Sequence, residues 1–600
     1  MTNQPFQDSA ALAAPRVSVE SRGPDAGWVL RHPEPLQPYT RCIGDWLEHW
    51  AHTTPDAVFL GERDATGGWV RLSYAQVRER VGRLAQGLLD LDLPPGAPVT
   101  VLSDNSVEHA LLALATLHVG RPVAVVSSAY CRLTRDYTKV HAMLDALRPG
   151  LVYASDPAVY APAVNAWRGS APRVFGRDAA QVDGALSLAT LAEARETPAV
   201  MRAFEGIRPD DHAKYLLTSG STGQPKVVIN THRMLTANQQ QIAQVWPFLM
   251  RHRLELLDWL PWSHTFGANH NFHMVLAHGG TLHVDEGRPA PGLIEKTVRN
   301  LREVRPNFYF NVPRGFDMLL PFLEQDDALA RDVLERMEGV FYAGAALPQS
   351  LWGRLEDVVA RTRGRPLWFT SAWGATETSP ALTSVHWPIE RAGCIGLPLP
   401  GVELKLVPNA GKLEMRVRGP NVFPGYRDAP QLTAAAFDEE GYYLIGDAGR
   451  FVDPQRPQAG VAFDGRVAED FKLLSGSWVS VGTLRLRAVT ALSPLAADVV
   501  VTGHDREEVG LLVFPSAAAR ELAPQELGRR LHQALLALRA DGGGTSQTPT
   551  RIRMLAEPPS ADAGEITDKG YVNQAAVLRR RAADVIALYS NVPDEGTVRL

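Results

Sequence analysis

Tyr215-Leu-Leu-Thr-Ser-Gly-Ser-Thr-Gly-Gln-Pro-Lys226 is the stretch on which the reading of this chain turns. A short apolar strand, Tyr215–Leu217, runs into small and hydroxylated residues and ends on Pro225 and Lys226. Gly220 and Gly223 carry no Cβ, so backbone N–H groups there can close on one anion. Thr218, Ser219, Ser221 and Thr222 add hydroxyl donors, and Lys226 adds a positive charge. Such a loop suits a polyphosphate. It is not the GxxxxGK[ST] phosphate loop, because Gln224 and Pro225 separate Gly223 from Lys226. A hydroxyl-rich surface linker is the plainer alternative, and the apolar strand that feeds the loop argues against it.

Outward from this loop the pattern alternates between helix and strand. Val77, Val81, Leu84, Leu88 and Leu91 recur at helical spacing and predict a helix over Tyr74–Leu91, stopped by Pro94-Pro95-Gly96. Val99–Leu102 and Val123–Val126 read as buried strands around an Ala- and Leu-rich helix at Ser106–Val119. The rhythm returns at Leu256–Leu260, Thr281–Val284, Phe308–Phe310, Val340–Tyr342 and Leu367–Phe369. Strand, helix, strand at this spacing predicts α/β layers with parallel strands. Past about residue 400 the texture becomes β-meander, with strands at Glu403–Leu406, Lys412–Arg418, Tyr442–Ile445 and Arg450–Val452. A smaller α+β unit follows, with a hairpin around His504-Asp-Arg506 and helices at Gln525–Leu538 and Asn573–Tyr589. The expected organisation is an arm over 1–42, a large N-terminal domain over 43–464 with a β-barrel-like subdomain from about 400, and a small C-terminal domain over 465–600.

Composition narrows the function classes. The 600 residues carry 66 acidic against 61 basic side chains, a net charge of −5, which excludes a strongly basic, nucleic-acid-holding protein. Cys42, Cys131 and Cys394 lie far apart and offer neither a disulfide framework nor a CxxC metal pattern. The opening MTNQPFQDSAALAAPRV lacks a basic-then-apolar leader, and the best apolar run, Ala110–Val126, is broken by His118, Gly120, Arg121 and Pro122. A cytoplasmic protein without a membrane span is the expectation.

Five further stretches carry chemistry: Trp262-Ser-His-Thr-Phe-Gly267, Tyr342-Ala-Gly-Ala-Ala-Leu-Pro348, Trp373-Gly-Ala-Thr-Glu377, Tyr443-Leu-Ile-Gly-Asp447 and Gly564-Glu-Ile-Thr-Asp-Lys569. Gly465-Arg466, followed by Lys472 and Gly476, stands before the last of them. His270, His273 and His278 cluster near the first, but not at a zinc spacing. Taken in this order, over roughly residues 43–590, these motifs resemble those of the acyl-adenylate-forming superfamily: acyl- and aryl-CoA ligases, peptide-synthetase adenylation domains and luciferases.

The resemblance assigns roles residue by residue. Thr218 to Gly223, with Lys226, would cradle the phosphates of ATP, and Thr222 and Lys226 would take part in catalysis. His264 would orient the reacting carboxylate, with Phe266 and Gly344 beside it in the acyl pocket. Gly344, Ala345 and Ala346 would border adenine, and Trp373 would stack on it next to Gly374, an aromatic plane where Tyr is usual. Thr376 would touch the α-phosphate, and Glu377 would hold Mg²⁺, a hard cation that takes carboxylate oxygen. Asp447 would accept hydrogen bonds from both ribose hydroxyls. Arg466 would contact ribose or phosphate at a hinge, and Lys569, on a mobile C-terminal domain, would bridge the carboxylate and the α-phosphate. Ala468 stands where a charged pivot is common, and Asp568 where Gly is. Val467–Leu473 with Gly476–Val479, Arg418–Tyr426 and Glu565–Tyr571 resemble the bacterial feruloyl-CoA synthetase group, which shares those two traits.

The implied reaction joins a small carboxylic acid, aryl or arylpropenoate, to coenzyme A at the expense of ATP. Ferulate or a related hydroxycinnamate is the first expectation. Another aryl or fatty acid, a carrier-protein acceptor, and a non-catalytic nucleotide-binding protein are the alternatives. A fused carrier would need chain beyond Leu600, which makes free coenzyme A the expected acceptor. Retention of Lys226, Glu377 and Lys569 argues for turnover.

Overall fold

The computed structural model describes residues 12–600 apart from 24, 135, 220–224, 410, 541, 543, 561–562, 567–571, 593 and 595. It divides into two compact units, one holding Met1–Lys405, Arg416–Ile445 and Phe451–Val461, the other Leu406–Met415, Gly446–Arg450 and Ala462–Leu600. The fold is mixed α/β, with the larger unit N-terminal, as the sequence pattern implies.

Three sheets build the larger unit. The first runs Pro225–Thr231, His212–Ser219, Val123–Val126, Val99–Leu102, Leu151–Ala154, Arg173–Phe175, Leu186–Ser187, parallel throughout except at its first pair. Val99–Leu102 and Val123–Val126 are buried at every residue, which is why they read as nearly continuous apolar runs, broken only by Thr100, rather than alternating ones. The helix Tyr74–Asp90 starts where Ser73 and Gln76 cap each other reciprocally, and buries Val77, Val81, Leu84 and Leu88. The second sheet orders Glu255–Asp258, Thr281–Val284 and Val58–Arg63 in parallel, with Trp69–Ser73 antiparallel at the edge. In the third, Phe308–Asn311, Gly339–Tyr342 and Trp368–Gly374 run parallel and continue antiparallel into Ala381–Ser384 and Cys394–Pro398.

In the smaller unit, Ala496–Thr502 and Gly510–Pro515 form the expected hairpin, extended by Arg551–Met554 and Thr597–Arg599. The helices Val481–Ala491 and Pro524–Ala540 contribute Leu484, Ala488, Leu531 and Leu535 to its core.

Three local readings change. Within the segment read as an arm, Ser18–Ser21 pairs with Trp28–Arg31, and Val29 and Leu30 are fully buried. Tyr442–Ile445 and Arg450–Val452 are one strand, Tyr443–Phe451, because Gly446 takes a φ of 81° in mid-strand and no turn forms there. Asn573–Tyr589 is two helices, Gln574–Arg580 and Ala582–Leu588, broken at Arg581. The Arg581 side chain is committed elsewhere. Its Nε and Nη2 donate to the two oxygens of Glu565 at 2.8 and 3.1 Å, and its Nη1 to Glu557 at 3.1 Å.

The Glu565 side chain has 0% exposure, so Arg581 is what makes its charge tolerable. Burial pushes the Glu565 carboxyl up, but Arg581 and Arg580 outweigh burial and hold it below the ordinary glutamate value. Arg581→Met is expected to destabilise the unit by about 3 kcal/mol, the cost of stranding a buried charge. A lowered folded-state value means the pair's contribution is complete above the ordinary glutamate range and is lost as pH falls through the lowered one. Calorimetric unfolding of both proteins should therefore show a gap at neutral pH that closes in acid.

Candidate active site

The motifs sit at the C-terminal ends of strands, and parallel pairing brings the ends of Gly339–Tyr342 and Trp368–Gly374 side by side. Asp258 ends its strand and leads through Pro261 to His264. Tyr342 ends its strand and leads to Gly344, Ala345 and Ala346, an exposed loop in which Gly344 has a φ of 84°. Trp373 and Gly374 close theirs, and Thr376 and Glu377 form the single turn that follows. Trp373 is buried opposite Thr383, and Thr376 and Glu377 are buried beside it.

The loop that opened the sequence argument is shorter than its composition suggests. Pairing continues through Thr218 opposite Lys226 and Ser219 opposite Pro225, so Lys226 sits on a strand. Gly220, Ser221, Thr222 and Gly223 lie outside the described residues, as does Lys569. The Lys226 ammonium rests 5.2 Å from the centre of the Tyr426 ring. The Tyr426 hydroxyl donates to Glu377 Oε1 at 3.1 Å, and the Glu377 carbonyl accepts from the Phe423 N–H at 2.8 Å. Tyr426 thus joins the loop's cation to the expected metal carboxylate, a role the sequence motifs did not single out. Glu377 keeps Oε2 for a further partner. One carboxylate oxygen suits Mg²⁺, which is held by one or two carboxylates together with phosphate oxygens.

A lattice of buried amides holds these parts in place. Asn230 donates to the Thr376 carbonyl at 3.2 Å and accepts from Asn269 at 2.8 Å. Asn238 donates to the Ala381 carbonyl at 2.7 Å and accepts its N–H at 3.1 Å. Asn421 donates to the carbonyls of Thr378 and Ala381 at 2.8 and 3.0 Å, and accepts from Gln241 at 3.2 Å. Gln239 donates to the Asn269 carbonyl at 2.8 Å. All are buried, and of them only Asn421, within Arg418–Tyr426, lay in a stretch the sequence singled out.

His264 is half-buried and leads into Phe266–Phe272, a wide π-helical segment. A Cβ on Gly267 would stand 2.2 Å from the Leu260 carbonyl, so only glycine lets this segment press onto the preceding turn. The segment carries His270 into a box of aromatic rings: Phe266, Phe310 and Phe341 lie 5.8, 5.5 and 5.0 Å from its centroid. Burial pushes the His270 imidazole down to about 4, against the pull of Asn271, so the ring is neutral at pH 7. Asn271 donates from Nδ2 to Asp258 Oδ2 at 3.0 Å, which turns its Oδ1 toward His270 Nδ1, also at 3.0 Å. The proton of the neutral ring therefore sits on Nδ1, and Nε2 is left as an acceptor among the phenylalanines. Burial pushes the Asp258 carboxyl up to about 7, while Asn271 and the Leu260 N–H draw it down. His273 and His278 are buried neutral, the first well below the ordinary value and the second down to about 4, both chiefly by burial. Among the described residues no group of three His, Cys, Asp or Glu side chains is arranged to hold a metal.

In the smaller unit, Asp447 is buried and its Oδ1 lies 3.2 Å from Nε of Arg466, which is more than half exposed. The two residues expected at ribose and phosphate are thus neighbours. Beside them burial pushes Glu469 up, partly offset by Arg466.

The family model described as "AMP-binding enzyme" matches residues 47–427, and that of the "AMP-binding enzyme C-terminal domain" matches 483–593. A long-chain-fatty-acid–CoA ligase, FadD15 of Mycobacterium bovis, is 25% identical over 89% of this chain and 95% of its own length. A 3-hydroxybenzoate–CoA ligase of Aromatoleum is also 25% identical, over 85% and 93%. The crystal structure of ATP-bound MatB from Rhodopseudomonas palustris shares the fold, with a TM-score of 0.69 at 23% identity over 90% of this chain and 99% of that one.

The amide lattice makes a direct prediction. Asn269→Ala strips a hydrogen bond from Asn230 and another from Thr265 in a dry interior. The expected cost is about 1–3 kcal/mol, read as a lower unfolding temperature of the larger unit.

Proposed function

This chain belongs to the AMP-binding enzyme family, and we propose that it is an ATP-dependent acid–CoA ligase that works through an acyl-adenylate. The observation that carries the proposal is the connected set Lys226, Tyr426 and Glu377 at the end of the phosphate-loop hairpin. A carboxylate is a poor acyl donor because oxide would have to leave. Attack of its oxygen on the α-phosphorus of ATP releases pyrophosphate and gives a mixed anhydride from which AMP departs readily when a thiol attacks the carbonyl. The first step brings two anions together, and the site's work is to offset that repulsion. Lys226 supplies a cation held in place by an aromatic face. Glu377, fixed by Tyr426, presents one oxygen to Mg²⁺, which when bound withdraws charge from the phosphates. Asp447 serves the ribose, and Arg466 beside it serves ribose or phosphate. Lys569 completes the first step from the C-terminal domain, which turns at Asp464–Ala468 before the thiol enters. Thr222 and the loop amides hold the phosphates.

For the acid we propose a hydroxylated aryl or arylpropenoate, ferulate or a near relative. Phe266, Phe310 and Phe341 favour a flat ring over a flexible chain. With Nδ1 turned to Asn271, the acceptor Nε2 of His270 favours a ring bearing a hydroxyl donor over one without. The acceptor is free coenzyme A.

Two measurements test this. Incubation with ATP, Mg²⁺ and a panel of acids, with and without coenzyme A, should yield AMP and pyrophosphate dependent on the acid, and thioester only with coenzyme A. ADP as product, or turnover indifferent to any acid, would refute the ligase reading. His270→Leu should lower kcat/KM for a 4-hydroxycinnamate about tenfold and leave unsubstituted cinnamate almost unchanged. An equal loss on both acids would remove His270 from hydroxyl recognition.

A further inference from the structure

The four-stranded sheet uses only one of its edges in the site above. The opposite edge, where Val58, Glu255 and Thr281 begin their parallel strands, borders a cleft of about 340 Å³. That volume falls in the range of small-molecule sites. Glu255 and Asp258 bound one short strand, so the cleft lies on the order of 10 Å from the end that leads to His264.

Three arginines line it: Arg71 from the edge strand, Arg253 from the segment entering Glu255, and Arg336 from the segment before Gly339. One carboxylate stands among them. Glu255 spends Oε1 on His283 Nε2, 3.4 Å away, and Oε2 on the Arg336 guanidinium at 3.1 Å. Its charge is thereby matched. Among the described residues the other two guanidiniums have no carboxylate counterpart. Arg253 donates to the carbonyls of Gly279 and Val58, which orient it without cancelling its charge. Arg71 leans toward the Trp69 ring, 6.0 Å from its centroid, and forms no ion pair among the described residues. His283, Gly61 and Arg71 stand in cross-strand register. A Cβ at Gly61 would meet the His283 ring at 2.5 Å, so the missing side chain is what admits the imidazole to this face.

We propose that this cleft is a second anion site, taking a small doubly charged oxyanion of the phosphate class. Two uncompensated guanidinium forks match the charge and the geometry of such a group, whereas a single carboxylate would leave one of them unmatched. The site stands whether or not the ligase reading above holds, because none of its residues takes part in that chemistry.

Inorganic phosphate is the probe. Equilibrium dialysis at fixed ionic strength is run on the full chain carrying Lys226→Gln, so that the phosphate loop contributes less, and then with Arg71→Gln or Arg253→Gln added. Both arginines are exposed, and circular dichroism verifies that each variant is folded. One saturable site weakened at least about tenfold by either substitution, and less by Arg71→Lys than by Arg71→Gln, is the expected result. Phosphate binding that neither substitution alters, or no saturable binding in the Lys226→Gln chain, would overturn the proposal.

Discussion

The larger unit depends on a rule of dry interiors: a polar group taken out of water must find a partner there. Once Pro225–Thr231 and its following helix are packed inside, the carbonyls of Thr376, Thr378 and Ala381 lose access to solvent. Asn230, Asn238 and Asn421 answer them. Each amide both donates and accepts, so each ties two segments together. Asn230 and Asn269 couple the phosphate-loop hairpin, the segment behind His264 and the turn bearing Glu377. Removing one member exposes its neighbours to the cost of an unmade hydrogen bond, which makes the arrangement cooperative rather than a sum of contacts.

The chemistry is mounted on that frame. An ammonium near phosphate must be held against its own hydration, and Tyr426 does this for Lys226 with a ring face while giving its hydroxyl to Glu377. One residue therefore links the two groups proposed to manage phosphate charge. The acyl side is arranged by a similar economy of partners. The Leu260 N–H and Asp258 fix Asn271, and Asn271, the next residue along, fixes the His270 tautomer.

The sequence made the parallel architecture legible because buried parallel strands, such as Val99–Leu102 and Val123–Val126, are apolar at every position but Thr100. His264, Trp373, Glu377, Asp447 and Arg466 stand out in it only through the resemblance of their motifs to a known family. It could not show that Tyr426, within Arg418–Tyr426, reaches Glu377, or that Asn269 reaches Asn230, because both act across long separations in the chain. The break at Arg581 was hidden for the same reason: the helical spacing on either side is continuous, and what interrupts it is Glu565, sixteen residues earlier. The strand Tyr443–Phe451 was split in the reading because Gly446 looks like punctuation, although a positive φ within a strand places Asp447 instead of turning the chain.

The lattice described above is built of amides, which carry no charge and do not titrate, whereas around Gly465 and before Lys569 the chain relies on ion pairs. Lys412 binds Asp470 and reaches the Asp464 carbonyl and Ser480 at 2.5 and 3.0 Å, tying the residues on both sides of Gly465 to one ammonium. Glu565 is held by Arg581 and Arg580 immediately before the segment that carries Lys569. A buried ion pair contributes little net stability but is costly to pull apart. It therefore fixes geometry rather than adding strength. That is the property that the proposed role of Lys569, and of a hinge at Gly465, would call on.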